Sequence, residues 1–189
     1  MAAISLYHQS FSRLEEERKI VEKSKLNPEH FGILYTRYND SIFHYVMKRV
    51  QDVDAAYDLT SQVFIKALTA LDKFEFRGVP FSSWLFRIAK SEVYQFFRDQ
   101  NKKSSISIDT LKLSHIIEEC EDEYNEEERA NLLKALNSLG QDHLQLVDLR
   151  YFEKRSFKEI GEILNITENN AKVKTFRTVL KLKKIIGKT

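Results

Sequence analysis

A single cysteine, two prolines and five glycines in 189 residues already exclude several kinds of protein. Cys120 has no second thiol with which to form an internal disulfide. So little glycine and proline rules out a collagen-like or turn-rich all-β chain and points to long uninterrupted elements. The longest stretch without a charged residue runs only from Met1 to Ser12, too short to span a bilayer, and no basic leader precedes it. A soluble protein of a reducing, cytoplasmic compartment is expected, without membrane insertion. Its 42% hydrophobic and 12% aromatic content suffices for a core and argues against wholesale disorder.

Signs of catalysis are missing too. The sequence holds no glycine-rich phosphate loop and no nucleophile elbow. Its histidines, at 8, 30, 44, 115 and 143, never fall within helical reach of one another or of Cys120, so no metal cluster can be read locally. An acidic run around Cys120 disfavours its thiolate. Neither an enzyme nor a cofactor or metal site is expected.

What is present is a patterned charge. The totals, 30 basic against 28 acidic, nearly cancel. Residues 99–128 hold 3 basic against 10 acidic, whereas residues 151–189 hold 10 basic against 4 acidic. A basic terminal module implies a polyanionic partner.

The apolar spacing is helical throughout, and no useful segment alternates with period two, so the expected fold is all-α. Asn27 can cap a helix opened by Pro28, with Phe31, Leu34, Tyr35, Tyr38, Ile42, Tyr45 and Val46 on one stripe. A second helix is expected from about Asp54 to Phe74, facing inward through Ala56, Leu59, Val63, Ala67, Leu71 and Phe74. Gly78 and Pro80 break it. Ser82 can cap a third, with Leu85, Ile88, Ala89, Val93 and Phe96 inward. Asp52, Asp54 and Asp58 suit either capping and the helix dipole or a docking role. No sustained stripe precedes about residue 129. Beyond it, Leu132, Leu133, Leu136 and Leu139 make a helix ended by Gly140, and Asp142 can cap the next, with Leu144, Val147 and Tyr151 inward.

The most specific local pattern is Ser156-Phe157-Lys158-Glu159, a capping box. It starts a short helix, with Ile160, Ile163 and Leu164 inward, that stops near Asn165, a residue tolerant of the left-handed exit. Thr167 can cap a longer helix through Ala171, Phe176, Val179, Leu180 and Ile186. Two helices across so short a turn, the second rich in lysine, spell helix-turn-helix. The second would place Thr167, Glu168, Asn169 and Asn170 nearest base edges, followed by Lys172, Lys174 and Arg177, with Lys181, Lys183, Lys184 and Lys188 on phosphates. The alternative is a solvated basic face on an ordinary helix.

Between Phe74 and Phe97 the chain crowds Phe74, Phe76, Phe81, Trp84, Phe86, Tyr94, Phe96 and Phe97 around an Arg-Gly-x-Pro loop. Rings left outside could stack on unpaired bases while Arg77, Arg87, Lys90 and Arg98 meet the backbone. For Trp84, core packing and base contact stand as equal alternatives.

Over residues 29–98 and 128–187 the sequence resembles bacterial RNA polymerase sigma factors of the extracytoplasmic-function group, in the sigma-70 family. Asp58-Leu59-Thr60-Ser61-Gln62-Val63-Phe64-Ile65-Lys66-Ala67-Leu68 resembles region 2.2. Phe76-Arg77-Gly78-Val79-Pro80-Phe81-Ser82-Ser83-Trp84-Leu85-Phe86-Arg87-Ile88-Ala89-Lys90 resembles regions 2.3 and 2.4. Leu149-Arg150-Tyr151-Phe152-Glu153 and Ser156-Phe157-Lys158-Glu159-Ile160 resemble region 4.

The resemblance implies a promoter-specific initiation factor whose partners are promoter DNA and core RNA polymerase, at its β′ clamp helices and β flap. By it, Asp54, Asp58, Thr60, Ser61 and Gln62 dock on the polymerase. Phe76, Arg77, Phe81, Trp84, Arg87, Lys90 and Ser91 hold the melted minus-10 strand, and residues 167–177 read the minus-35 duplex. It also allows an inhibitory anti-sigma factor, which no residue identifies.

The implied organisation is an N-terminal extension (1–28) without assigned role, region 2 (29–98), an acidic linker (99–127) and region 4 (128–189). The linker could follow the polymerase's RNA path or be a plain tether. A competing reading is a free-standing helix-turn-helix regulator, which would require neither the Asp58–Leu68 segment nor the aromatic loop. A scaffold using its basic tail on RNA or protein is a third.

Overall fold

The computed structural model describes residues 11–101 and 126–186. Among them the regular elements are all helical, in two compact units. Cys120, Lys188 and most of the acidic segment lie outside the described residues.

The first unit is centred on α1 (Phe11–Leu26), α2 (Phe31–Val50), α3 (Val53–Thr69) and α4 (Phe81–Asn101). Asn27 caps as expected: its side chain accepts the Glu29 N–H at 3.0 Å, and Pro28 opens a 3-10 turn leading into α2. Phe31, Leu34, Tyr38, Ile42, Tyr45 and Val46 form the buried stripe of α2. Tyr35 lies on the stripe's edge and is exposed, meeting the Phe64 ring edge-on at 4.8 Å. Asp52 Oδ1 accepts the Ala55 N–H at 2.8 Å and caps α3, so for Asp52 the capping reading holds.

Two helix boundaries differ from those expected. α3 ends at Thr69 rather than Phe74, because Leu71–Lys73 tighten into a 3-10 turn that keeps Leu71 and Phe74 buried. Ser82 does not cap α4: the helix already begins at Phe81, and Ser82 is buried within its first turn. The acceptor for the Phe81 N–H is instead the Glu17 carboxylate of α1, which also accepts the Tyr38 hydroxyl. Leu85, Ala89 and Val93 face inward as predicted, whereas Ile88 and Phe96 are half-buried and Phe86 and Phe97 take interior places.

The second unit is centred on α5 (Glu126–Asn137), α6 (Gln141–Val147), α7 (Phe157–Leu164) and α8 (Glu168–Ile186). Ala135, Leu136, Leu139, Val147 and Leu182 form a core, with Leu132, Leu144, Phe152 and Ile185 packed around it. α5 stops at Asn137, before Gly140, whose extended backbone leads into α6 (φ −65°, ψ 157°). Asp142 therefore sits inside the first turn of α6, where its charge suits the dipole, rather than at the cap. A π-helical turn over Asp148–Phe152 follows. Its wider pitch breaks the 3.6-residue register, and Tyr151, expected inward, is exposed.

Candidate nucleic-acid interface

In the loop between α3 and α4, three rings form the floor. Phe74, Phe81 and Trp84 are all buried, with centroids 4.9 to 5.4 Å apart, and Phe31 meets Phe81 at 6.4 Å. Phe81 is fully buried and Trp84 is 9% exposed, so both rings pack in the interior, and of the two readings open for Trp84 the packing favours the core one. The start of α4 is enclosed on all sides, since every residue from Phe81 to Phe86 is buried. Above this floor Gly78 takes a left-handed turn (φ 68°), Val79 is buried, Phe76 is half-buried and Arg77 is exposed. Along α4, Arg87 and Lys90 are half-buried and Ser91 is exposed. The outward members of the proposed strand contact are therefore Phe76, Arg77, Arg87, Lys90 and Ser91.

On α3, Asp54, Asp58, Ser61 and Gln62 are exposed, whereas Thr60 is buried at 3% exposure and faces the interior. Helical geometry forces this, because Thr60 follows Leu59 on the inward side with Ala56 and Val63. The same helix carries Val53, Tyr57, Ile65 and Leu68 outward. Asp54, Asp58, Ser61, Ile65 and Leu68 recur at helical spacing along one outer face, acidic at its start and apolar at its end. Ile65 and Leu68 were not among the expected docking residues. The available signal was that they fall off the Ala56–Leu59–Val63–Ala67 stripe.

The α7–α8 pair realises the local signals. Ser156 Oγ accepts the Glu159 N–H at 3.2 Å, and Glu159 Oε2 accepts the Ser156 N–H at 2.9 Å. Asn165 adopts the left-handed conformation (φ 56°), and the Ile166 N–H reaches the Gly161 carbonyl at 2.9 Å. Gly161 is where the turn folds closest: a Cβ there would lie 2.8 Å from the Ile166 carbonyl oxygen. Thr167 Oγ1 accepts the Asn170 N–H at 3.2 Å, capping α8.

The residues expected to read bases, Thr167, Glu168, Asn169, Asn170, Lys172, Lys174 and Arg177, are all exposed on or before the first half of α8. Its inward stripe is half polar. Ala171, Thr175, Thr178 and Leu182 are buried, while Phe176, Leu180 and Ile186 face outward and Val179 is half-buried. The threonines satisfy themselves inside by donating to the carbonyls of Ala171 and Lys174, each at 2.8 Å. Thr178 also meets His143 Nδ1 of α6 at 2.7 Å.

Among the described residues no cluster of His, Cys, Asp and Glu could hold a metal ion, and no helix is long and apolar enough to cross a membrane.

The sequence profile for Sigma-70 region 2 matches residues 34–103, and that for Sigma-70, region 4 matches residues 135–184. The chain is 26% identical over 171 residues to the ECF RNA polymerase sigma factor BldN of Streptomyces coelicolor, covering 89% of this chain and 65% of BldN. It is 28% identical over 173 residues to the ECF RNA polymerase sigma factor SigW of Bacillus subtilis, covering 85% of this chain and 91% of SigW. Against the ECF RNA polymerase sigma-E factor of Escherichia coli K12 the identity is 27%, covering 85% and 89%.

Among solved structures, CnrH in complex with the cytosolic domain of CnrY superposes with a TM-score of 0.61 at 19% identity, covering 90% of this chain and 97% of that one. The sigma factor RpoE of Bartonella quintana, in complex with the anti-sigma factor NepR, gives 0.54 at 18%, covering 83% and 96%. The last two likenesses establish a shared helical fold.

Proposed function

Because this chain belongs to the extracytoplasmic-function group of the sigma-70 family, we propose that it is a subunit of RNA polymerase that directs the core enzyme to its promoters. The observation that carries this reading is the presence of both region matches in one chain, each on a helical unit with exposed polar residues at the proposed contact positions. A free-standing regulator would explain α7 and α8 but leave the outer face of α3 and the loop before α4 without a purpose.

The proposed division of labour follows from the side chains. α3 docks on the β′ clamp helices through Asp54, Asp58, Ser61 and Gln62, with Ile65 and Leu68 supplying apolar area. The first turns of α8 enter the major groove, where Asn169 and Asn170 can pair with adenine edges and Lys172, Lys174 and Arg177 with guanine or phosphate. Phe76 and Arg77 meet the separated minus-10 strand, and Arg87, Lys90 and Ser91 hold its backbone.

Neither module needs to be strong. Mounting both on one large enzyme turns the second contact into an intramolecular event and multiplies the affinities. Strand separation costs pairing and stacking energy, and capture of an extruded base offsets part of that cost. The chain does no bond-making of its own and works in the cytoplasm beside the polymerase. CnrH and RpoE were solved with CnrY and an anti-sigma factor respectively, and a comparable inhibitor is proposed here.

Run-off transcription on genomic fragments with purified core polymerase tests the reading. Defined transcripts that require this chain are expected. Failure to program the core enzyme at any start site, with dimeric operator binding in its place, would favour the regulator.

A further inference from the structure

α1 precedes the region 2 match, which begins at residue 34, and no role in promoter recognition has been assigned to it. Its inward side is unusual. Glu17 is completely buried, beside the equally hidden Val21 and Ser24. One Glu17 oxygen accepts the Phe81 N–H and the other accepts the Tyr38 hydroxyl, while Arg37 approaches to 3.9 Å. Burial works against the charge on Arg37, but its hydrogen bond to Glu16 and the neighbouring Tyr38, Glu16 and Glu17 raise its pKa above the usual value, so it stays cationic beside the carboxylate. Two turns further along, Lys25 Nζ donates to the Phe74 carbonyl at 2.9 Å.

Phe74 and Phe81 are the two ends of the loop that carries Phe76, Arg77 and Gly78. A carboxylate at zero exposure is costly to hold, and an apolar residue of similar volume often serves stability as well. What an apolar residue cannot do is accept the first N–H of α4 and so fix where that helix begins.

We infer that α1 is a positioning element of the strand-reading site: Glu17 and Lys25 pin the two ends of the Phe74–Phe81 loop and thereby set how Phe76 and Arg77 meet the separated strand. The inference rests on the proposed strand-reading role of that loop. α1 need not touch DNA; it acts through the backbone of the residues that do.

The test uses the full chain as holoenzyme, with three probes: the single-stranded minus-10 segment of a start site mapped by run-off transcription, a duplex bearing only its minus-35 element, and core polymerase itself. Glu17→Ala and Lys25→Met are expected to weaken capture of the single strand roughly tenfold, the scale of one or two lost buried hydrogen bonds, without altering affinity for the duplex or the core enzyme. Glu17→Gln is expected to restore strand capture, because its amide oxygen can accept the Phe81 N–H and its amide nitrogen can donate to the Tyr38 oxygen.

Unchanged strand capture in both Glu17→Ala and Lys25→Met overturns the inference, as do equal losses on all three probes or a Glu17→Gln as impaired as Glu17→Ala. If Glu17→Ala does not fold, Lys25→Met alone decides. If the wild-type chain programs the core enzyme yet captures no single strand, the role proposed for the loop fails, a result distinct from a wild-type chain that captures strand and variants that do so equally well.

Discussion

Lys66 and Glu92 join α3 to α4 through a two-pronged ion pair, with Lys66 Nζ 2.7 and 2.6 Å from the two carboxylate oxygens. The pair is asymmetric: the Glu92 side chain is 7% exposed and that of Lys66 is 56% exposed. Removing the lysine therefore strands a nearly buried carboxylate, whereas removing both partners does not. Lys66→Met is expected to cost about 1–3 kcal/mol in urea unfolding, toward the low end because water reaches the site. Lys66→Met with Glu92→Leu should recover much of that loss, and a double-mutant cycle measures the coupling.

Phe76 and Trp84 should separate stability from promoter opening. Trp84→Ala empties a buried site next to Phe74 and Phe81 and is expected to destabilise by about 3–5 kcal/mol. Phe76→Ala, at a half-buried loop position, should unfold within about 1 kcal/mol of wild type, yet slow opening on duplex promoters and not on pre-melted ones. Thermal unfolding and permanganate reactivity of unpaired thymines read the two effects.

Gly161→Ala should damage minus-35 reading specifically. Its added methyl would meet backbone atoms, the Ile166 oxygen at 2.8 Å and the Glu168 nitrogen at 3.3 Å, so the turn between α7 and α8 must open. A loss of about 1–3 kcal/mol in stability is expected, typical of overpacking, together with weakened binding to a minus-35 duplex. Binding to single-stranded minus-10 DNA should be unchanged.

Lys172 and Asn169, both exposed on the first turns of α8, should behave differently on DNA. Lys172→Ala is expected to weaken holoenzyme binding to all duplexes and to lower the salt slope by about one if it meets phosphate. Asn169→Ala should leave that slope unchanged and relax base preference at one minus-35 position, at about 1–3 kcal/mol of discrimination. Titrations across a salt series and a promoter library distinguish them.

Signals confined to a few neighbouring residues were legible. The Ser156–Glu159 box, the Asn165 exit, and the Asn27 and Thr167 caps all depend on contacts within five residues, and each forms. The helical fold class followed from periodicity in the same way. What the sequence hid were contacts made across distance or against type. The acceptor that starts α4 arrives from 64 residues away, so Ser82 looked like the cap. Thr175 and Thr178 are polar by composition yet line the inward face of α8, because each hydroxyl bonds back to its own helix, and neither was among the residues that marked this helix in the sequence. In the candidate site, the charged and amide residues of α8 were readable because they lie outward. Trp84 left two readings open, and only packing decided between them.

The outward Phe176 and Leu180 sit on a helix crowded with lysines. A greasy flank among like charges keeps copies apart only while their mutual repulsion reaches across the solvent, and added electrolyte shortens that reach to a few ångströms. Association through this one flank should consequently strengthen as salt rises, although the charges of the whole chain nearly cancel.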